Sequence, residues 1–427
     1  MGFGIKNKKI GIGRSVLNQV NIILGSGLLN MPAAIQEANI YLGLSILFIV
    51  CVICDYVSIQ IVKMAKKKEV SEYENLAEKV FGKFMYFIIA ISCFLNSFGA
   101  MVGYVHIVNF SNLTLLSLTI KNPVTLKWAS IGTTLGLFLV LVLPFSYFHG
   151  LVSIALLSFF SIFAIGVICV ILLVTGISIP DPVNNYRRLT GKGFFTAFGT
   201  LLFAFVCTDS VFPVYLGLEN NTQQRWNIVV HATMGSLGSF YGLFAIFCYL
   251  TIPQLNNYVL NSASITNRRE ILAAKILLSL SLLLTYLALV YVTRTYIFSM
   301  FQRFRKPVSE LEKKKQYLLR FVAATSTIVV SIFLGLLVDD LLFIVSFTGL
   351  LTSTLIGFIV PVLIIFKVNT FTKIWGDFVA SFKGEFGVLA GVRNVANFTI
   401  LILTFLFGIS GLTIGVPVTI LSYIGKL

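Results

Sequence analysis

Ionised side chains are scarce in this chain of 427 residues. Only 11% of the residues are Asp, Glu, Lys or Arg, whereas 57% are hydrophobic and the mean hydropathy is +0.93. A soluble domain of this size would present too little polar surface to water. The composition therefore predicts an all-helical protein that crosses a lipid bilayer several times.

The chain also lacks the short motifs of common hydrolases and metalloenzymes. It contains no His-Glu-x-x-His and no Gly-x-Ser-x-Gly sequence, and its three histidines do not have metal-ligand spacing. We therefore predict that the protein is not an enzyme and holds no cofactor. The cysteines all fall inside apolar segments and are predicted to be small core residues, at positions 51, 54, 93, 169, 207 and 248.

Acidic residues are half as common as basic ones, and the net charge is +16. The basic residues collect in loops on one side of the apolar segments, which is typical of positive-inside membrane topology and not of nucleic-acid binding. This distribution predicts a cytoplasmic N-terminus and, with an odd number of spans, an extracytoplasmic C-terminus. Both the plasma membrane and a vacuolar or lysosomal membrane remain open.

Long apolar runs predict eleven transmembrane spans. A span needs about 20 mostly apolar residues, and the runs lie at about 15–37, 40–62, 84–110, 127–147, 150–176, 194–218, 228–252, 271–301, 321–338, 341–366 and 395–423. The remaining segments are a tail (1–14), an amphipathic interfacial helix (69–83), an outer loop (177–193) and an inner loop (367–394). Asn112 begins a glycosylation sequon just after the third span.

Two of these spans are interrupted at corresponding positions. The first contains "NIILGSGLLNMP" (21–32), and the sixth contains Cys-Thr-Asp-Ser (207–210) followed by Pro213. Backbone groups exposed at membrane depth must be shielded by protein or line a cavity. Close helix packing explains one such Gly-Ser run equally well. Paired interruptions in spans 1 and 6 instead indicate a transporter built from two inverted repeats of five spans, 15–176 and 194–366.

The same segments resemble the amino acid/auxin permease family. "SVLNQVNIILGSGLLNMPAA" (15–34) is similar to the first helix of its sodium-coupled neutral amino acid branch, "FAFVCTDSVFPVY" (203–215) to its sixth, and "SFTGLLTSTLIGFIVPVLI" (346–364) to its tenth. The resemblance implies a leucine-transporter-type fold with helices 1 and 6 broken and an eleventh helix added. It also implies secondary transport of amino acids by alternating access, with sodium symport of neutral amino acids as the leading expectation.

The resemblance further implies the residues of the site. The substrate carboxylate is expected at the backbone amides of Gly25, Ser26 and Gly27. The unwound part of span 6 is expected to hold the ammonium group and shape the side-chain pocket, through Phe205, Cys207 and Thr208.

Asn21 and Thr285 match the family's sodium-site positions, and their uncharged oxygens suit a hard monovalent cation. From the residues alone, Asn21 could equally form an interhelical hydrogen bond. Thr285 could equally bond its own helix.

Asp209 departs from the family pattern, since Thr-Asp-Ser replaces the usual His-Pro-Glu. An acid at membrane depth is a functional candidate by default. It is expected to pair with a basic group such as Arg294, to carry a proton, or to select a cationic substrate. Two functional alternatives therefore stay open. One is a proton-coupled transporter or exchanger of a vacuolar or lysosomal membrane, and the other is an amino acid sensor without net flux.

Overall fold

The structure is a computed structural model. It describes residues 9–24, 27–145, 152–179, 193–252, 255, 259–262, 265–304, 313–369, 371–382 and 388–425. These residues are almost entirely helical. Their β-type pairing consists of one parallel bridge, in which Ile10 joins Leu218. The Ile10 N–H donates to Gly217 O at 3.0 Å, and the Glu219 N–H donates to Ile10 O at 2.8 Å. This bridge fastens the N-terminal segment to the end of the sixth predicted span.

The helices before residue 180 are α1 (Ile12–Ile23), α2 (Gly27–Ala38), α3 (Ile40–Lys68), α4 (Tyr73–Phe81), α5 (Lys83–Leu116), α6 (Pro123–Leu137), α7 (Leu143–Phe145) and α8 (Val152–Ile177). The later helices are α9 (Phe194–Phe205), α10 (Thr208–Gly217), α11 (Gln223–Thr251), α12 (Arg269–Phe304), α13 (Lys313–Leu337), α14 (Leu341–Thr348), α15 (Val360–Asn369), α16 (Phe371–Phe382), α17 (Val388–Ser410) and α18 (Val416–Ile424). π-Helical turns join α6 to α7, α14 to α15 and α17 to α18.

Within the described residues, nine helical segments are long and apolar enough to cross a membrane. The ninth predicted span appears as a shorter apolar helix, Phe321–Leu337. The first predicted span is divided into α1 and α2, and each of these has only 12 residues. The all-helical membrane architecture is confirmed, whereas the count of eleven spans and the five-plus-five repeat stay predictions.

The two divided spans pack against each other at the centre of the bundle. α2 lies along α9, α1 along α11, and α9 also packs against α14 and the π-helical segment Gly349–Ile359. Gly199 and Gly349 permit this last approach, because a Cβ on Gly349 would overlap the carbonyl oxygen of Gly199. The centre therefore depends on backbone-to-backbone contact around the interrupted helices.

The predicted interfacial segment 69–83 contains α4. Its apolar residues recur at helical spacing, and Tyr73, Leu76 and Ala77 are buried. α4 packs against α5, and Tyr73 donates a hydrogen bond from its hydroxyl to Ile356 O at 2.8 Å. α4 is thereby fixed beneath the π-helical segment and beside α10.

The sequon at Asn112 lies inside α5 and not in a loop. Its side-chain amide donates to Thr134 Oγ1 on α6 at 2.9 Å, and the adjacent Thr114 is buried. A glycan on Asn112 would require this contact to break, so the structure gives the sequon a packing role between α5 and α6.

Candidate functional site

The first interruption separates α1 from α2. α1 ends at Ile23, and Leu24 leaves the helical conformation with φ −76° and ψ 79°. Of the three residues predicted to hold a carboxylate, Gly25 and Ser26 lie outside the described residues, and Gly27 begins α2. A Cβ on Gly27 would lie 2.8 Å from the Cβ of Ala204. The beginning of α2 therefore sits directly against the end of α9.

The second interruption separates α9 from α10. α9 ends at Phe205, Val206 is extended, and α10 begins at Thr208. Phe205, Cys207 and Thr208 are all buried. The sequence-predicted pocket residues of span 6 thus lie at the break itself, level with the beginning of α2.

One side chain on α11 contacts both interruptions. The Tyr241 hydroxyl donates to Ile23 O at 3.1 Å, and its ring lies edge-on to Phe205 with centroids 5.1 Å apart. Tyr241 is completely buried. A carbonyl in the last turn of a helix has no partner within that helix, so Tyr241 satisfies the end of α1 and packs against the end of α9. Sequence reasoning missed this residue, because one tyrosine in an apolar span forms no pattern.

A second missed residue joins α1 to the break in span 6. Gln19, one helical turn before Ile23, donates from Nε2 to Cys207 Sγ at 3.0 Å. Gln19 is 2% exposed. This buried contact joins α1 to the beginning of the segment 206–219. The bridge at Ile10, just before α1, joins the chain to the end of the same segment.

The two residues predicted to hold a cation differ in their surroundings. Asn21 is half-buried, and its side chain makes no hydrogen bond within the described part of the chain. Thr285 donates to Ser281 O at 2.9 Å, and its Oγ1 lies 3.3 Å from Ser161 Oγ. Ser161 Oγ lies 2.9 Å from Ser281 Oγ. α8 and α12 therefore share a cluster of three hydroxyls, and α1, which carries Asn21, packs against α8.

Asp209 lies in the first turn of α10 and is half-buried. Its Oδ1 accepts a hydrogen bond from the Ser210 N–H at 2.9 Å. Neither of the ion pairs among the described residues involves Asp209, so the structure does not join it to Arg294. Arg294 is 7% exposed, and its guanidinium lies 5.3 Å from the ring centroid of Tyr291.

The carboxyl group of Glu74 on α4 lies close enough to Asp209 for the two carboxyl groups to interact electrostatically. Burial raises the pKa of Glu74 to about 7, and the neighbouring carboxylates of Glu72 and Asp209 raise it further, against the opposing effects of its own backbone N–H and Arg303. Glu74 is therefore a carboxyl group that changes charge near neutral pH, beneath the second interruption.

We expect Glu74→Gln to change the pH dependence of stability. In the unfolded chain the carboxyl group ionises near pH 4.5, but in the folded protein it holds its proton to about pH 7. The free energy of unfolding of the wild type should therefore fall as pH rises through this window. The variant has no carboxyl group at position 74, so its free energy of unfolding should not show this fall. Thermal unfolding at pH 5 and pH 8 measures the effect, with Glu219→Gln controlling for removal of an exposed carboxylate. If the unfolding temperatures of the wild type and of Glu74→Gln change equally between pH 5 and pH 8, the prediction is contradicted.

Comparison with known proteins identifies the family of this chain. The model of the family described as "Transmembrane amino acid transporter protein" matches residues 8–395. A Bos taurus protein named "Putative sodium-coupled neutral amino acid transporter 11" is 26% identical over 355 residues, which span 81% of this chain and 74% of that protein. Its Danio rerio counterpart is also 26% identical over 355 residues, covering 81% of this chain and 76% of the relative.

Solved structures share the fold at low sequence identity. A Na⁺-coupled sialic acid symporter in its outward-open state is 13% identical with a TM-score of 0.52, covering 96% of this chain and 90% of that one. An Eremococcus coleocola manganese transporter is 14% identical with a TM-score of 0.50, covering 97% and 91% of the respective chains. The family match extends over most of the sequence, through both interrupted helices. The chain belongs to the transmembrane amino acid transporter family, as the residues of spans 1, 6 and 10 predicted.

Proposed function

We propose that this protein carries neutral amino acids across a membrane by sodium-coupled symport. The observation that carries the proposal is the meeting of the two interruptions, with Tyr241 bonded to one and packed against the other. Helix ends at membrane depth offer polar backbone groups in a setting that is otherwise apolar. Such a pair of ends is a suitable receptor for a small zwitterion.

The charges of the helix ends match those of an amino acid. The beginning of α2 carries a partial positive charge and the end of α9 a partial negative charge, each about half an elementary charge. These ends adjoin at Gly27 and Ala204. We infer that amides at the beginning of α2 bind the substrate carboxylate. Carbonyls at the end of α9 bind the ammonium group, and Phe205, Cys207 and Thr208 shape the side-chain pocket.

Sodium suits the oxygens that lie near α1. Asn21 has a carboxamide oxygen without a hydrogen-bond partner among the described residues, and the last turn of α1 supplies backbone carbonyls close by. The hydroxyl cluster of Ser161, Ser281 and Thr285 adds uncharged oxygens on the neighbouring helices. A set of oxygens without a carboxylate favours a monovalent cation. The names of the relatives also refer to sodium coupling.

Proton coupling is the second candidate, and Asp209 is the observation that favours it. This carboxylate lies beside the second interruption, accepts a hydrogen bond from the Ser210 N–H, and forms no ion pair in the described part of the chain. A proton could therefore neutralise Asp209 without breaking a salt bridge. In this arrangement Asp209 and Glu74 would carry the coupling, and Asn21 would be dispensable.

Uptake by proteoliposomes distinguishes these candidates. We expect a panel of labelled neutral amino acids to accumulate under a sodium gradient, and Asn21→Ala to abolish the sodium dependence because a cation ligand is lost. Replacing sodium with choline at fixed pH supplies the ionic control. Thr133→Ala is the matched control variant, since it removes a hydroxyl bonded only within α6. Accumulation driven by a proton gradient and indifferent to Asn21 would contradict sodium symport.

Tyr241→Phe tests whether the two interruptions form the substrate site. The change removes only the hydroxyl that satisfies Ile23 O, so the end of α1 loses an anchor while the packing against Phe205 is kept. One such hydrogen bond contributes about 1 kcal/mol, and we expect about a fivefold rise in the KM for uptake.

The control is Tyr286→Phe, which removes a buried hydroxyl bonded to Ser331 between α12 and α13. That hydrogen bond involves no residue of either interruption, so KM should stay at the wild-type value. An equal rise in KM for the two variants would mean that Tyr241 acts through general stability and does not order the site.

A further inference from the structure

A group of lysines lies where α3, α15 and α16 end or begin on one side of the bundle. Lys63 and Lys67 are one helical turn apart on α3, and Lys373 is in the first turn of α16. All three side chains are exposed. Lys67 donates from Nζ to Asn369 Oδ1, at the last residue of α15, which brings the end of α3 to the junction with α16. We call Lys63, Lys67 and Lys373 the lysine triad.

The ammonium group of Lys67 is repelled by those of Lys63 and Lys373. Lys63 and Lys373 both act electrostatically on Lys67, so the three charges lie within a common electrostatic neighbourhood. Positive-inside topology explains on which side of a membrane lysines occur. It does not explain why two helices bring three like charges together, since long exposed side chains are free to separate.

The described part of the chain gives the triad no carboxylate partner. Its ion pairs join His231 to Asp55 and Arg303 to Glu78. Asp377 follows Lys373 by one turn of α16 and forms no ion pair with it. Among the described residues, the positive charge of the triad therefore has no ion-pair partner.

The helix that carries Lys373 has the composition of an interfacial helix. α16 is short and amphipathic, and it bears the exposed aromatic side chains Phe371 and Trp375, each 47% exposed. α16 also packs on α17, where the partly exposed Trp375 ring lies edge-on to Phe398 at 5.4 Å. Aromatic and apolar residues of such helices lie at the level of the lipid headgroups. In that position, α16 would place Lys373 and the adjoining end of α3 at headgroup depth.

We propose that the lysine triad binds the phosphate headgroup of an anionic phospholipid in the adjacent leaflet. Basic pockets between membrane helices recognise such headgroups through charge. Phosphate oxygens accept hydrogen bonds from ammonium groups on both α3 and α16, and the acyl chains run past Phe371 and Trp375. The bound lipid neutralises the repulsion within the triad and holds α16 against the end of α3. This site is independent of the amino acid and cation sites.

Native mass spectrometry of the full chain in detergent tests the site, with phosphatidylglycerol as the probe and phosphatidylcholine as the uncharged reference. We expect the wild type to retain phosphatidylglycerol preferentially. Lys63→Gln with Lys373→Gln should lower its affinity about 25-fold, since each lysine near an anionic lipid contributes roughly a fivefold factor. Lys121→Gln with Lys127→Gln is the matched control, because it removes two exposed positive charges elsewhere and should leave retention unchanged.

Two results would overturn the proposal. One is equal loss of phosphatidylglycerol from both double variants, which would show attraction to the net charge of the protein and not to the triad. The other is equally effective competition by glycerol 1-phosphate, which would show a site for free phosphate without a lipid contribution. Gel filtration of each variant verifies that it is folded, and all four exchanged lysines are exposed, so the substitutions leave the core intact.

Discussion

The structure depends on one constraint, namely that backbone polar groups at membrane depth need partners. α1 and α9 both end within the bundle, and each end leaves carbonyl groups without helical partners. Both ends are buried and both contact Tyr241 on α11. Tyr241 supplies a hydroxyl to one end and an aromatic ring to the other. In the proposed function, the beginning of α2 and the end of α9 present partial charges of opposite sign to the substrate.

The contacts around that site connect it to one end of the bundle. Gln19 joins α1 to Cys207, and the bridge at Ile10 joins the residues before α1 to those after α10. Tyr73 of α4 bonds the π-helical segment, and its ring stacks with Phe212 of α10 at 6.5 Å. In a transporter with alternating access, these contacts would make α1, α10 and α4 move together when substrate binds or leaves.

The sequence predicted the features that depend on local chemistry. Glycines and a run of polar residues interrupted two apolar spans, and the structure has its helix breaks at those positions. Apolar residues at helical spacing likewise predicted α4. Contacts between distant spans leave no comparable pattern, so the roles of Tyr241 and Gln19 were visible only in the fold. The sequon at Asn112 shows the same limit, because three letters do not reveal that the side chain packs between α5 and α6.

The central claim is that an amino acid and a sodium ion bind at the same pair of interrupted helices. Equilibrium binding of a labelled neutral amino acid to the purified protein, measured across sodium concentrations with choline holding ionic strength constant, tests this most directly. We expect sodium to raise the affinity of the protein for the amino acid. We expect the amino acid to raise the affinity for sodium by the same factor, as linkage requires. An amino acid affinity that is identical without sodium and at saturating sodium would contradict the claim.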